Sequence, residues 1–171
     1  LILDMETNGG RVDITEEIVK ILDRFKGETV TFVNEKAISA GAIIALGTGK
    51  IYLSPSGRIG DAKPILMGPG GGVQTVDEGY EEKINSYVRA LGRSYAQKNG
   101  HNPDVAEAMI DASKVLKFGE EEVCAEGKIL TLTAEEAARK FGDPPKPLLS
   151  LGTVESIDAL IIELGYEGAQ R

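Results

Sequence analysis

What this chain is short of narrows it first. It has one cysteine, Cys124, so no intrachain disulfide can form, and a lone thiol does not report the redox compartment. It has one histidine, His101, which nearly excludes a multi-histidine metal site; nothing in the sequence calls for a metal or a cofactor. Basic residues are outnumbered, 19 Lys and Arg against 27 Asp and Glu, for a net charge of −8. With a pI near 4.8 and no basic cluster, neither a nucleic-acid backbone nor an anionic membrane surface is expected as a direct partner. No stretch approaches the roughly 18 apolar residues of a membrane span. The longest apolar runs, Ala37–Gly47 and Ile157–Leu164, read as buried helix segments.

What remains is ordinary globular composition: 171 residues, 42 % hydrophobic and 27 % charged, enough for a single domain with its own core. No internal repeat and no second domain is visible. The chain opens Leu1-Ile2-Leu3-Asp4, already inside a strand-like run, and is expected to be a piece of a longer product.

Along the chain, Leu1–Met5 reads as a buried strand ending in the turn Thr7-Asn8-Gly9-Gly10. Asp13 is a plausible N-cap for a helix with Ile14, Ile18, Ile21, Leu22 and Phe25 on one face. Thr29–Asn34 reads as a second strand, Ser39–Gly47 as a helix and Lys50–Ser54 as a third strand, closed by Pro55-Ser56-Gly57. Strand–helix–strand–helix–strand at this spacing implies right-handed crossovers and a mainly parallel sheet.

Met67–Val73 is too glycine-rich for regular structure. It lacks the Lys-Ser/Thr of a phosphate-binding loop and reads instead as a flexible flap. A long helix is expected over Asp77–Asn99, with Tyr80, Ile84, Tyr87, Val88, Leu91 and Tyr95 apolar-side, and a shorter one over Pro103–Ser113. Val123-Cys124 and Ile129–Leu132 suggest a hairpin, with Cys124 as inert core. Thr133 should cap a helix over Ala134–Phe141, Pro144–Pro147 should be a stiff connector, and Thr153 should cap a last helix to Leu164.

The informative segment is Ala37-Ile38-Ser39-Ala40-Gly41-Ala42. A serine directly after a buried strand, at the start of a small-residue helix, exposes its hydroxyl and aims free backbone N–H groups at whatever it attacks. The bland alternative is an ordinary N-cap serine. Gly9-Gly10 lets the backbone turn sharply after the first strand. If the two parallel strands are neighbours, that turn and Ser39 emerge at one sheet edge, where α/β sites form. The bland alternative there is a simple strand–helix turn.

Taken in order, Leu3-Asp4-Met5-Glu6-Thr7-Asn8-Gly9-Gly10, Ser39-Ala40-Gly41, Ile59-Gly60-Asp61-Ala62-Lys63-Pro64 and Leu130-Thr131-Leu132-Thr133-Ala134-Glu135-Glu136-Ala137 resemble the ClpP-class membrane serine proteases. Within that class the chain is most similar to the NfeD-type, stomatin-associated branch, with signal peptide peptidase A as a cousin. The resemblance implies an α/β fold, the ClpP/crotonase-like spiral with a mainly parallel sheet and flanking helices. It also implies a serine endopeptidase with a Ser–Lys dyad, cleaving hydrophobic segments of membrane-associated proteins such as stomatin homologues. Ser39 matches the nucleophile, Lys83 (44 positions on) the base, Gly9 or Gly10 the first oxyanion-hole N–H and Ala40 the second.

Lys63 is a rival base, because the catalytic histidine of ClpP itself falls near it. His101 is expected to be a surface turn residue and not a triad member. The resemblance further implies a homo-oligomer, a dimer or larger, and a membrane association through segments outside this chain, with the protease domain outside the cytoplasm. Two other readings share the fold. A crotonase-like acyl-CoA enzyme would want basic residues for the CoA phosphates, which this acidic chain lacks; a non-catalytic assembly module would have no need of Ser39 and Lys83 together.

Overall fold

A computed structural model describes residues 1–68 and 70–168. The sheet is organised around one long strand, β2 (Val30–Ile38), whose Val-Thr-Phe-Val run is buried on both faces. On one edge β2 pairs in parallel with β1 (Ile2–Thr7), from Ile2 opposite Val30 to Thr7 opposite Ala37. The other edge is shared. β3 (Lys50–Leu53) takes its first half, with Val33 opposite Leu53, and β4 (Arg58–Gly60) takes its second half, with Ala37 opposite Ile59. The two crossovers run through α1 (Val12–Leu22) and α2 (Ala40–Leu46), the pattern the spacing predicts. α1 begins without a side-chain cap, so Asp13 lies inside its first turn and is not the N-cap.

The strands alternate sides as the pleat requires. Val33, Ile51, Leu53 and Ile59 face a core shared with α2, whose Ala42, Ile43, Ala45 and Leu46 are buried. Val30, Phe32 and Tyr52 face the other way, against Leu160 of α6 (Ile157–Glu163). α2 is apolar all round because α1 and α3 (Glu78–Lys98) flank it while the sheet lies beneath.

α3 starts where the sequence expects, with the Asp77 side chain accepting from Tyr80 N–H at 3.0 Å. Its buried residues, Val88, Gly92, Tyr95 and Ala96, all lie in the second half. Tyr80 and Tyr87 are exposed, so the apolar face expected from residue 80 onward begins only near Ile84. α4 (Pro103–Ala108) follows, ending five residues before the expected Ser113.

The expected hairpin between 123–124 and 129–132 is overturned. β6 (Glu121–Cys124) pairs with β5 (Leu116–Phe118), while β7 (Thr131–Thr133) lies antiparallel to β4, with Leu132 opposite Ile59. Long-range pairing decided this: β4 leaves an edge for β7, and no local turn signal reports it. Thr133 does cap α5 (Ala134–Ala138) in a reciprocal capping box with Glu136. The helix stops at Ala138, because β8 (Lys140–Phe141) turns back to pair with β9 (Lys146–Pro147) around the proline-rich connector. Thr153 belongs to β10 (Gly152–Thr153), which pairs with β3, and the cap of α6 is Ser156. Within the expected glycine-rich loop, Met67 and Val73 form an antiparallel bridge; Pro69 lies outside the described residues. No helix among the described residues is long and apolar enough to cross a membrane.

Candidate functional site

Because β1 and β2 are parallel neighbours, their C-terminal ends open on the same side of the sheet, and Gly9 meets Ser39 there. A methyl group added to Gly9 would fall 2.5 Å from Ser39 Cβ and 2.9 Å from its Oγ. Gly9 also has φ +111°, a conformation that side chains rarely adopt. Two separate constraints therefore require glycine at this position.

Ser39 itself is held in a strained conformation. It joins β2 to α2 with φ 56° and ψ −121°, and among the described residues only Asp61 shares a positive φ without being glycine. The turn is fixed through its backbone: Ser39 N–H donates to Gly60 O at 3.0 Å and Asp61 O at 3.1 Å, and Ser39 O accepts from Ala42 N–H at 3.0 Å. Yet the hydroxyl does not cap α2. Among the described residues Ser39 Oγ has no hydrogen-bond partner, so the ordinary N-cap explanation does not account for this serine. A serine at a sharp, strained strand-to-helix turn, with its Oγ presented outward, is the geometry of a nucleophile.

The nearby N–H groups divide unequally. Gly9 N–H donates to Thr7 Oγ1 at 3.0 Å. The N–H groups of Gly10 and Ala40 stand outside the hydrogen bonds of helix, strand and turn. Thr7, which the sequence reading did not single out, does two jobs: its Oγ1 fixes Gly9, and its methyl packs where a Cβ on Gly41 would come within 2.4 Å. The small-residue start of α2 is thereby explained, since only glycine lets the helix sit so close to β1.

Ser39, Ala40 and Gly10 line a cavity of about 550 Å³ whose other walls include Val12, Ile43, Ala62, Ile65 and Val88. The cavity is apolar where a substrate side chain would lie and carries N–H donors beside the serine, the combination expected of an acyl-transfer site.

The two candidate bases are placed differently. Lys63 forms an ion pair with Glu81 at 3.0 Å, and the lysine ammonium is the largest cause holding the Glu81 carboxyl below its usual range. Lys83 is exposed on the second turn of α3 and does not line the Ser39 cavity. The structure thus brings together Gly9, Gly10, Ser39 and Ala40, and leaves Lys83 outside.

His101 lies in the turn between α3 and α4, half-buried there and not fully at the surface. Its Nε2 lies 2.6 Å from Thr48 O at the far end of α2, and burial pushes its pKa down. Cys124 is buried, and burial pushes its thiol up, away from the reactive thiolate.

The model of the family described as the NfeD1b N-terminal domain matches residues 1–171. "Membrane protein NfeD1b" of Bacillus subtilis (strain 168) is 32 % identical over 170 residues, covering 99 % of this chain and 35 % of that protein. "Membrane-bound protease PH1510" of Pyrococcus horikoshii is 35 % identical over 134 residues, covering 73 % of this chain and 30 % of that one. The chain therefore spans about a third of the length of these relatives. Among solved structures, a serine-to-alanine mutant of the "1510-N membrane-bound stomatin-specific protease" superposes with a TM-score of 0.71 at 28 % identity, covering 95 % of this chain and 67 % of that one. A lysine-to-alanine mutant of the same protease, in complex with a substrate peptide, gives 0.72 at 26 %, covering 98 % and 69 %.

Proposed function

We propose that this chain, which belongs to the NfeD1b N-terminal domain family, is the serine endopeptidase domain of a longer protein, with Ser39 as nucleophile and Lys83 as general base. The single observation that carries the reading is the strained Ser39, its hydroxyl without a hydrogen-bond partner, beside unused N–H groups. The family relation supports the dyad, since the archaeal neighbours carry substitutions of one serine and one lysine. Those two residues lie at a sequence separation within a few residues of that between Ser39 and Lys83.

Ser39 Oγ attacks the scissile carbonyl, and its proton passes to Lys83 Nζ. The negative charge that develops on the carbonyl oxygen is met by the N–H groups of Gly10 and Ala40, which no other hydrogen bond occupies. Gly10 is preferred to Gly9, whose N–H is committed to Thr7. As the tetrahedral intermediate collapses, Lys83 returns the proton to the departing amine. Water then hydrolyses the acyl-serine by the same steps. A lysine must be neutral to accept the first proton, and desolvation favours that form. Lys83 is solvated in the free chain, so productive binding requires the first turns of α3 to move toward the Ser39 cavity.

The apolar walls suit hydrophobic peptide segments, and stomatin-like proteins are the substrate class that the neighbours' descriptions suggest. A serine-directed fluorophosphonate tests the reading directly. It should modify Ser39 in the wild type and nothing in Ser39→Ala; modification elsewhere, or none, refutes it.

A further inference from the structure

Thr7 is the last residue of β1 and stands opposite Ala37, two residues before Ser39. Its two branches reach different parts of the site. Oγ1 accepts from Gly9 N–H at 3.0 Å, the local bond by which a threonine turns the chain that follows it. With that N–H taken, the next one, on Gly10, is left free, and it is Gly10 and not Gly9 that lines the Ser39 cavity. The methyl meets the first turn of α2. A Cβ on Gly41 would lie 2.4 Å from Thr7 Cγ2, whereas its next neighbours, Met5 Sδ at 3.6 Å and Ala37 Cβ at 3.7 Å, are at ordinary contact distance. Gly41 directly follows Ala40, whose N–H is the other free donor. Thr7 itself does not line the cavity, so whatever it does for the reaction it does through these neighbours.

We propose that Thr7 is the positioning residue of the oxyanion hole: its hydroxyl turns Gly10 N–H toward the cavity, and its methyl sets how closely α2 brings Ala40 N–H alongside. This deepens the protease reading and rests on it. Two donors stabilise an oxyanion together only when both reach the same oxygen, at about 2.7–3.1 Å. Gly9 and Gly10 have no side chain to hold the peptide between them, and glycine's backbone freedom would let that donor wander. The bond from Gly9 to Thr7 removes the freedom. On the other side, a helix start as small as Ala40-Gly41-Ala42 fixes no distance by itself, and the Thr7 methyl is the stop against which it rests. Serine offers only the hydroxyl and valine only methyls. Threonine has both.

The single-branch variants test this. Thr7→Val keeps a methyl and loses the hydroxyl. Its kcat for peptide cleavage should fall roughly 10- to 100-fold with KM within about twofold of the wild type, the mark of an interaction made in the transition state. Thr7→Ser keeps the hydroxyl and should hold kcat within about threefold of the wild type. Should valine not fold here, Thr7→Ala compared with Thr7→Ser isolates the hydroxyl in the same way. The Gly9 amide proton should exchange with solvent faster in Thr7→Val or Thr7→Ala, and at the wild-type rate in Thr7→Ser. Gly41→Ala tests the methyl. In the wild type the added carbon collides with Cγ2 and Tm should fall; in Thr7→Ser it fills the vacated space and Tm should rise. A hydroxyl-free variant that folds and keeps wild-type kcat, or a Gly41→Ala change that lowers Tm equally in both backgrounds, overturns the proposal. Cleavage indifferent to the hydroxyl removes the positioning role alone. A wild type that neither cleaves peptides nor takes a fluorophosphonate at Ser39 removes the protease reading, and the Gly9 exchange and the Gly41→Ala sign reversal then decide whether Thr7 sets the two N–H groups.

Discussion

At Ser39 a single residue gives up stability for chemistry. A non-glycine residue at φ 56° and ψ −121° costs on the order of 1–3 kcal/mol, which the surrounding hydrogen bonds must hold in place. Ser39→Ala should abolish peptide cleavage while leaving the fold intact, whereas Ser39→Gly, free of the strain, should unfold later than Ser39→Ala by about 1 kcal/mol in urea. If the two variants are equally stable, the serine is not strained. The lysines separate in the same way. Lys63 is committed to Glu81, and losing it should leave a substantial fraction of activity. Lys83→Ala should lose peptide-cleaving activity by orders of magnitude. A dead Lys63→Ala beside an active Lys83→Ala reverses the assignment.

At the scale of elements, α2 is the part that sets the nucleophile, and it is held at both ends. Its start is fixed by the Ser39 backbone bonds to Gly60 and Asp61. Its end is gripped from the turn after α3, where Asn99 Nδ2 donates to Leu46 O at 3.1 Å and the His101 ring meets Thr48 O at 2.6 Å. Burial lowers the His101 pKa, so below its ordinary value of about 6.5 the unfolded chain binds the proton more readily than the folded one. Stability is then complete above that pH and declines as pH falls through it. Tm should drop between pH 7.5 and 5.5, and His101→Gln should show a smaller drop; an equal drop would assign the acid sensitivity to other groups.

At the scale of the whole molecule, the sheet separates two packing regions with different duties. The α1–α2–α3 side carries the site, and the α6 side buries Val30, Phe32, Tyr52 and Leu160 away from it. Leu160 is fully buried, so Leu160→Ala should cost about 2–5 kcal/mol in chemical denaturation. The fraction still folded should react with the fluorophosphonate at the wild-type rate. A large fall in that rate would show that α6 reaches the site through the sheet.

How much was written in the sequence depends on how local the cause was. The strand–helix–strand–helix–strand run, the caps at Asp77 and Thr133 and the meeting of Gly9 with Ser39 all follow from neighbours a few residues apart, or from two parallel strands forced side by side. β4 was not legible, nor its pairing with β7 more than seventy residues on, because three residues carry no period of their own and an edge exists only once the sheet is built. The serine was legible as a candidate. Its strain and its idle hydroxyl were not, because its backbone is held by Gly60 and Asp61 some twenty residues on; the division of N–H groups between Gly9 and Gly10 is local, through Thr7, yet composition alone does not say which N–H a threonine hydroxyl takes. The buried, unpartnered oxygen of Asn85 is the extreme case: nothing in the sequence marked that residue, and only tertiary packing placed the atom where no donor reaches it.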